Sequence, residues 1–395
     1  MDEATRLRPI YARLAPGDPA PWFEQAATNN PKYVFDRAAG RYIVICFYGS
    51  ATDPRGRAAI EAVLANRRHF DDVRACFFGV SSDPRDRSEG RVQQSMPGIR
   101  FFWDFDGKVA SLYGASPRGG ATAERELAIR QFWLVIDPML RVMRAFPFAP
   151  DGSDRSALFA YLDQLPPHGE FAGFEIFAPI LILPNVFEPE LCQRLIAYYD
   201  AHGGYESGYM TEVQGKTVPA HDFQFKRRKD CRIEDDELLK WVRRRFAGRV
   251  IPELGKIYSF AVTRMERYIV GCYAAEDGGH FRPHRDNISK GTEHRRFAAS
   301  VNLNGDFSGG ELSFPEYGPR AYKPPAGAVL IFPGALLHAV SKVTDGRRYA
   351  FLPFLYDEAA ARLRAENNKY LGDGVGAYQF HPAGPDGSPI PPQAD

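Results

Sequence analysis

Apolar residues follow one rhythm in the front of the chain and another behind it. Residues 42–47 (YIVICF) are apolar throughout, the pattern of a strand buried on both faces. Residues 57–69 carry helical spacing, and residues 73–80 (VRACFFGV) form a second buried run. Residues 132–136 (FWLVI), a turn at Asp137-Pro138 and residues 140–146 predict a hairpin. Two buried strands with a helix between them imply parallel pairing through a right-handed crossover. The breaker-rich segment 165–173 (LPPHGEFAG) closes this region, so residues 1–166 are expected as a first domain.

Beyond the breakers the spacing changes. Residues 180–183 (ILIL) read as a strand ending at Pro184. Residues 188–200 predict an amphipathic helix with Leu191, Leu195, Ile196 and Tyr199 on one face, and residues 236–246 another with Leu238, Val242 and Phe246 inward. From Ser259 to Tyr356 short apolar stretches alternate with Gly, Pro and Asp, the pattern of a sandwich or barrel. The second domain is expected over 174–366. A Gly/Pro-rich tail over 367–395 is expected without regular structure of its own. No internal repeat is visible.

The 395 residues are 44% hydrophobic and 25% charged, with a formal net charge of +1. That balance gives no reason to expect nucleic acid or an anionic membrane as partner. No stretch approaches the ~18–20 apolar residues of a membrane span, and the N-terminus shows no apolar leader. Cys46, Cys76, Cys192, Cys231 and Cys272 are scattered and without CxxC spacing, which argues against a disulfide framework or structural zinc. A reducing cytoplasm is the expected compartment.

The candidate chemistry is His284-Arg-Asp286 with His338 following 52 residues after the aspartate. Alternate residues of a strand share a face, so His284 and Asp286 can address one point. Two imidazoles and one carboxylate with open positions suit non-haem Fe(II), which needs those positions for a chelating 2-oxo acid and for dioxygen. Alone, an HxD triplet is weak, because the chain has nine histidines. Arg348 stands ten residues after His338. A turn at Asp345-Gly346 would bring it back to the cavity, where a guanidinium fork fits the distal carboxylate of 2-oxoglutarate. Strand alternation lets only one of Arg347 and Arg348 face inward, and Arg348 is the expected one.

The ordered set PNVFEPELC (184–192), RYIVGCY (267–273), HFRPHRD (280–286), SVNLN (300–304), GGELSFP (309–315), PAGAVLIFP (325–333) and His338 to Arg348 resembles the prolyl 4-hydroxylase-like 2-oxoglutarate/Fe(II) dioxygenases, over about 179–356. The resemblance implies a double-stranded β-helix (jelly roll) with supporting helices and Fe(II) on His284, Asp286 and His338. It also implies 2-oxoglutarate held by Arg348, Tyr273 and Asn302, with O2 as oxidant and ascorbate as accessory reductant. Asn302 departs from the tyrosine or other polar residue frequent there. By the same alignment Arg295 faces the mouth, within reach of substrate but expected first as a solvated arginine, and Gly309-Gly310 permit a tight bend. The implied activity is hydroxylation of an unactivated C–H bond in a protein, peptide or amino-acid-derived small molecule, with release of succinate and CO2. The basic run 226–229 (KRRK) is expected to be a solvated face.

The front domain, a βαβ unit followed by a hairpin, has thioredoxin-like architecture, and LAPGDPAP (14–21) and QFWLVID (131–137) resemble the peroxiredoxin (redoxin) branch. The stretch where that family keeps its peroxidatic cysteine reads FYGSATDPRG (47–56). Without a thiolate at the helix end, peroxide chemistry of that kind is not expected. A degenerate redoxin used for packing or recruitment is. Two other readings compete: a non-catalytic scaffold, and a redox protein acting through the front domain.

Overall fold

The computed structural model describes residues 10–118 and 129–381. The chain divides into two compact units, Met1–Phe177 with Pro315–Pro319 and Ala178–Phe314 with Arg320–Asp395. Residues 165–173, expected to mark the boundary, stay with the first unit and carry a 3-10 turn at His168–Glu170.

The first unit is built on strands β1 (Glu24–Ala27), β2 (Asn30–Val34), β3 (Tyr42–Gly49), β4 (Ala75–Ser81), β5 (Ile99–Trp103), β6 (Phe132–Ile136) and β7 (Val142–Pro147), in sheet order β2-β1-β5-β4-β3-β6-β7. Strands β3, β4 and β5 run parallel, and β6 and β7 close the sheet as an antiparallel hairpin. Every residue of β3 and β4 is buried, as continuous apolar runs require. Helix α1 (Pro54–Ala65) begins before residue 57 because Asp53 caps it, accepting from the amides of Arg55 and Gly56, and Pro54 fits the first turn. Residues 67–69 form a separate 3-10 turn. Strand β4 starts at 75 because the Asp71 carboxylate accepts from the amides of Val73 and Arg74, making a turn of what reads as apolar chain. Helices α2 (Pro84–Ser88), α3 (Lys108–Tyr113) and α4 (Ser153–Gln164) complete the unit. Trp133 ties β6 to α4, its indole N–H donating to Asp154 at 2.8 Å.

The second unit opens with β8 (Leu181–Leu183), α5 (Pro189–His202), β9 (Tyr205–Glu206), β10 (Tyr209–Val213), β11 (Lys216–Ala220), β12 (Lys226–Arg227) and β13 (Lys229–Arg232). Helices α6 (Asp236–Arg245) and α7 (Ile251–Tyr258) precede β14 (Arg264–Glu266), β15 (Ile269–Ala274), β16 (His280–His284), β17 (Phe297–Asn302), β18 (Phe307–Ser308), β19 (Leu312–Ser313) and β20 (Ala321–Tyr322). The chain continues through β21 (Val329–Pro333), β22 (His338–Val340), β23 (Asp345–Phe351), β24 (Phe354–Tyr356) and α8 (Glu358–Glu366). Two main antiparallel sheets result, β12-β16-β22-β19-β20 and β14-β24-β17-β23-β15-β13-β9 with β21 and β8 branching from β17 and β18 from β23, beside the separate pair β10-β11, which is the expected jelly roll. Helices α5 and α6 pack Leu191, Leu195, Leu238 and Val242 against the larger sheet's outer face, in one core with Val270, Val301 and Phe351.

Three expectations are corrected here. Residues 367–381 are not structureless: Asn367–Tyr370 form a 3-10 turn, and Tyr378 and Phe380 pack against Tyr356, Ala360 and Ala361. Residues 382–395 lie outside the described residues. Asp345-Gly346 is not a turn but the start of β23, paired with β18. The 226–229 run is not a solvated face, because Lys226 and Arg228 are buried. Among the described residues no helix is long and apolar enough to cross a membrane.

Candidate metal centre

His284 ends β16 and His338 begins β22. These neighbouring antiparallel strands set the two histidines opposite each other in register. Asp286 lies past the end of β16, so strand alternation does not place it. Its backbone N–H donates to the Gly334 carbonyl at 2.9 Å, which folds the carboxylate back over the strand ends. One donor atom from each of the three lies within 4.8 Å of the others. Asp286 Oδ1 is 3.7 Å from His284 Nε2, and Oδ2 is 3.4 Å from His338 Nε2.

The imidazoles are oriented by their own strands. His284 Nδ1 sits 2.8 Å from the Arg282 carbonyl, and His338 Nδ1 3.0 Å from the Leu336 carbonyl. A carbonyl only accepts, so each Nδ1 carries the proton and each Nε2 lone pair is left facing Asp286. Phe281 stacks on the His284 ring with centroids 3.4 Å apart, and Phe332 lies against His338 at 4.5 Å. Two neutral imidazole nitrogens, one carboxylate and an apolar collar suit a divalent transition metal with positions to spare.

The triad opens into a cavity of about 60 Å³ between the two sheets, whose far wall includes Tyr273, Ser300 and Arg348. Tyr273 and Arg348 face each other across β15 and β23, and the guanidinium lies 5.3 Å from the Tyr273 ring centre. Arg348 is 1% exposed. Its Nε donates to Asn302 Oδ1 at 3.0 Å and its Nη2 to Ser300 Oγ at 2.7 Å, while Nη1 is buried without a partner among the described residues. Burial works against the charge on Arg348 and Tyr273 supports it. An unmatched buried guanidinium donor is costly, and a carboxylate is the group that relieves it. Arg347, next along β23, points outward to Glu276 with Nε at 2.7 Å.

Asn302 and Arg295 both bond within the protein. Asn302 does not line the cavity: its Oδ1 holds Arg348 and its Nδ2 donates to the Pro324 carbonyl at 2.7 Å. Arg295 does not line it either. Its Nε donates to Glu266 at 2.9 Å and its guanidinium lies 4.1 Å from the Phe354 ring centre. Sequence reasoning missed Ser300, Arg228 and Arg267, which do line it. For Arg228 the available signal was alternation, since Lys226 and Arg228 lie two apart in an extended run. Arg228 donates to the Tyr273 hydroxyl at 3.2 Å. It also grips Asp230, with Nε at 2.6 Å. Gly310, with φ of +70°, leaves room beside the Arg348 stem.

In the first unit Asp53 caps α1 and the Ala51 N–H donates to the Asp86 carboxylate at 3.0 Å, in a stretch without cysteine, while Cys46 and Cys76 are buried in β3 and β4. Burial raises the Cys46 thiol well above its ordinary value and pushes Cys76 up to about 12. Neither is a thiolate near neutral pH.

Residues 268–356 match the model of the 2OG-Fe(II) oxygenase superfamily, and residues 16–143 that of the AhpC/TSA family. A PKHD-type hydroxylase of Synechococcus sp. is 34% identical over 89 residues, which is 21% of this chain and 39% of that protein. The chain thus spans about 39% of the length of the curated relatives it matches. A solved prolyl hydroxylase from Trichoplax adhaerens, in complex with a hypoxia inducible factor peptide, aligns over 47% of this chain and 86% of its own at 18% identity, TM-score 0.38. Peroxidoxin BcpB from Mycobacterium tuberculosis aligns over 39% of this chain and 99% of its own at 18% identity, TM-score 0.33.

Proposed function

We propose that the second unit is a 2-oxoglutarate-dependent non-haem iron dioxygenase that hydroxylates an unactivated C–H bond in a protein, peptide or amino-acid-derived substrate, releasing succinate and CO2. The observation that carries this reading is one cavity holding both a pinned His-His-Asp cluster and a buried arginine with an unspent donor.

Iron(II), when bound with 2-oxoglutarate, supplies dioxygen activation and the oxidising power for C–H cleavage. The chain supplies the frame. His284 and His338 present Nε2 because their Nδ1 protons are held by carbonyls. Asp286 adds a single negative charge. Arg348 receives the distal carboxylate of 2-oxoglutarate on Nη1, and Ser300 and Asn302 fix the plane of the guanidinium. Tyr273, whose hydroxyl accepts from Arg228, keeps its own proton to give to the co-substrate. Phe281, Phe332 and Leu312 line the cavity and keep water from the reacting centre.

The test is anaerobic loading with Fe(II) and 2-oxoglutarate, then oxygen, with succinate release screened against proline-containing peptides, free amino acids and cell extract. Ascorbate is expected to prolong turnover. His284→Ala, Asp286→Ala and His338→Ala should each abolish 2-oxoglutarate consumption while leaving the melting transition in place. Full activity in any one of them would end this reading.

A further inference from the structure

The cavity holds more positive charge than the co-substrate needs. Besides Arg348, its wall includes Arg228 and Arg267. One carboxylate, Asp230, 1% exposed, serves this group. It accepts from Arg228 Nε at 2.6 Å and Nη2 at 2.8 Å, from Arg267 Nη2 at 3.0 Å and from Ser207 Oγ at 2.5 Å. Asp286, the acid that lines the cavity itself, faces the histidines.

The two arginines beside Asp230 differ. Arg228 is buried and spends its N–H groups on Asp230, Tyr273 and Ser207. Arg267 keeps 29% of its side chain exposed and engages only Nη2, among the described residues. It stands in the short connection between β14 and β15 with φ of +65°, a left-handed conformation that a non-glycine residue adopts at a cost. The Ile269 N–H donates to its carbonyl at 3.0 Å, closing the tight turn. Its guanidinium lies 5.5 Å from the Phe354 ring centre, on a residue that also lines the cavity. The strained turn therefore aims a half-free guanidinium into the cavity six residues from Tyr273, at the opposite end of β15 from the Tyr273–Arg348 pair.

We propose that the compound hydroxylated carries a carboxylate, and that Arg267 receives it at the end of the cavity away from Arg348. This rests on the oxygenase reading and narrows its substrate class to carboxylates, supplied by a free amino acid or by an acidic or C-terminal residue of a peptide. Arg228 is the positioning residue: it holds Asp230, which in turn holds one edge of Arg267 and leaves the other edge open. A planar fork with open donors suits a carboxylate in two-point contact.

The experiment uses the Zn(II)- and 2-oxoglutarate-loaded full chain, which can bind without turning over. Free L-amino acids, and short peptides with acidic or C-terminal carboxylates, are titrated calorimetrically beside their primary amides. At least one carboxylate should bind at least tenfold tighter than its amide. Arg267→Gln should erase that difference while amide binding persists, which shows the variant folded, and Arg267→Lys should restore part of it. Binding by the amino acids alone, or by the peptides alone, identifies the source of the carboxylate. Equal binding of acid and amide, no binding by any member, or wild-type discrimination in Arg267→Gln would each overturn the assignment. Oxygen-dependent succinate release by the iron-loaded protein is measured separately. Its absence alongside carboxylate-selective binding would sink the oxygenase reading and leave the Arg267 site standing.

Discussion

Arg348 shows how much of the site depends on single contacts. Three of its neighbours set its plane: Ser300, Asn302 and the glycine at 310, whose added Cβ would meet Val343 Cγ2 at 3.0 Å and Arg348 Cδ at 3.1 Å. Gly310→Ala should therefore cost about 1–2 kcal/mol of stability from its left-handed backbone and weaken 2-oxoglutarate binding roughly tenfold by pushing the arginine stem. Equilibrium dialysis checks the affinity, with Gly305→Ala, where a Cβ meets open space, as control. Lost stability with unchanged affinity would separate Gly310 from the clamp. At this scale the His284–Asp286–His338 cluster and the inward turn of Arg348 were legible in the sequence, because their chemistry is unusual enough to stand out once ordered motifs surround them. Arg267, Arg228 and Ser300 were missed. Whether a polar side chain touches a ligand or another protein group is decided by register across strands far apart in sequence, which no local pattern carries.

Strands with continuous apolar runs, β3, β4 and β6, were readable, and so were α5 and α6 with their one-sided apolar faces. The strands β1 (EQAA) and β2 (NPKYV) were not, since neither carries a continuous apolar run or a clear alternation. The short strands β9 to β13 hid in polar sequence, each too short to show a period. Helix starts were misread where a cap rather than periodicity decides them. Asp53 is such a cap, taking the amides of Arg55 and Gly56 at 2.8 and 3.4 Å. Asp53→Ala should destabilise the first unit by about 1 kcal/mol, seen as a lower midpoint in chemical denaturation. Asp53→Ser should recover most of the loss, and no loss in Asp53→Ala would mean the helix start is held by packing alone.

At the scale of the whole molecule, each unit has its own apolar core, one around β3 and β6 and one around α5, α6 and β23. The second core is also tied by charge. Glu188, at the start of α5, takes Arg245 Nε at 3.0 Å and Arg249 Nη1 at 2.9 Å. The Arg245 hydrogen bonds draw its carboxyl down to about 2. A carboxyl lowered in the folded state stabilises the fold above its ordinary value near 4.5, and that contribution drains away as pH falls toward about 2. The melting temperature should drop between pH 5 and pH 3, and Glu188→Gln should show a smaller drop over the same interval. An identical drop in both proteins would assign the acid sensitivity to other carboxylates.

The burial of all five cysteines has a practical consequence. Maleimides and similar alkylating reagents find no ready native target in the folded protein, so a single introduced cysteine becomes a clean attachment point. Arg347, outward on β23 beside the clamp residue, is well placed for one. Under the oxygenase reading, a fluorophore or spin label there would report 2-oxoglutarate loading without any need to strip the chain of its own thiols.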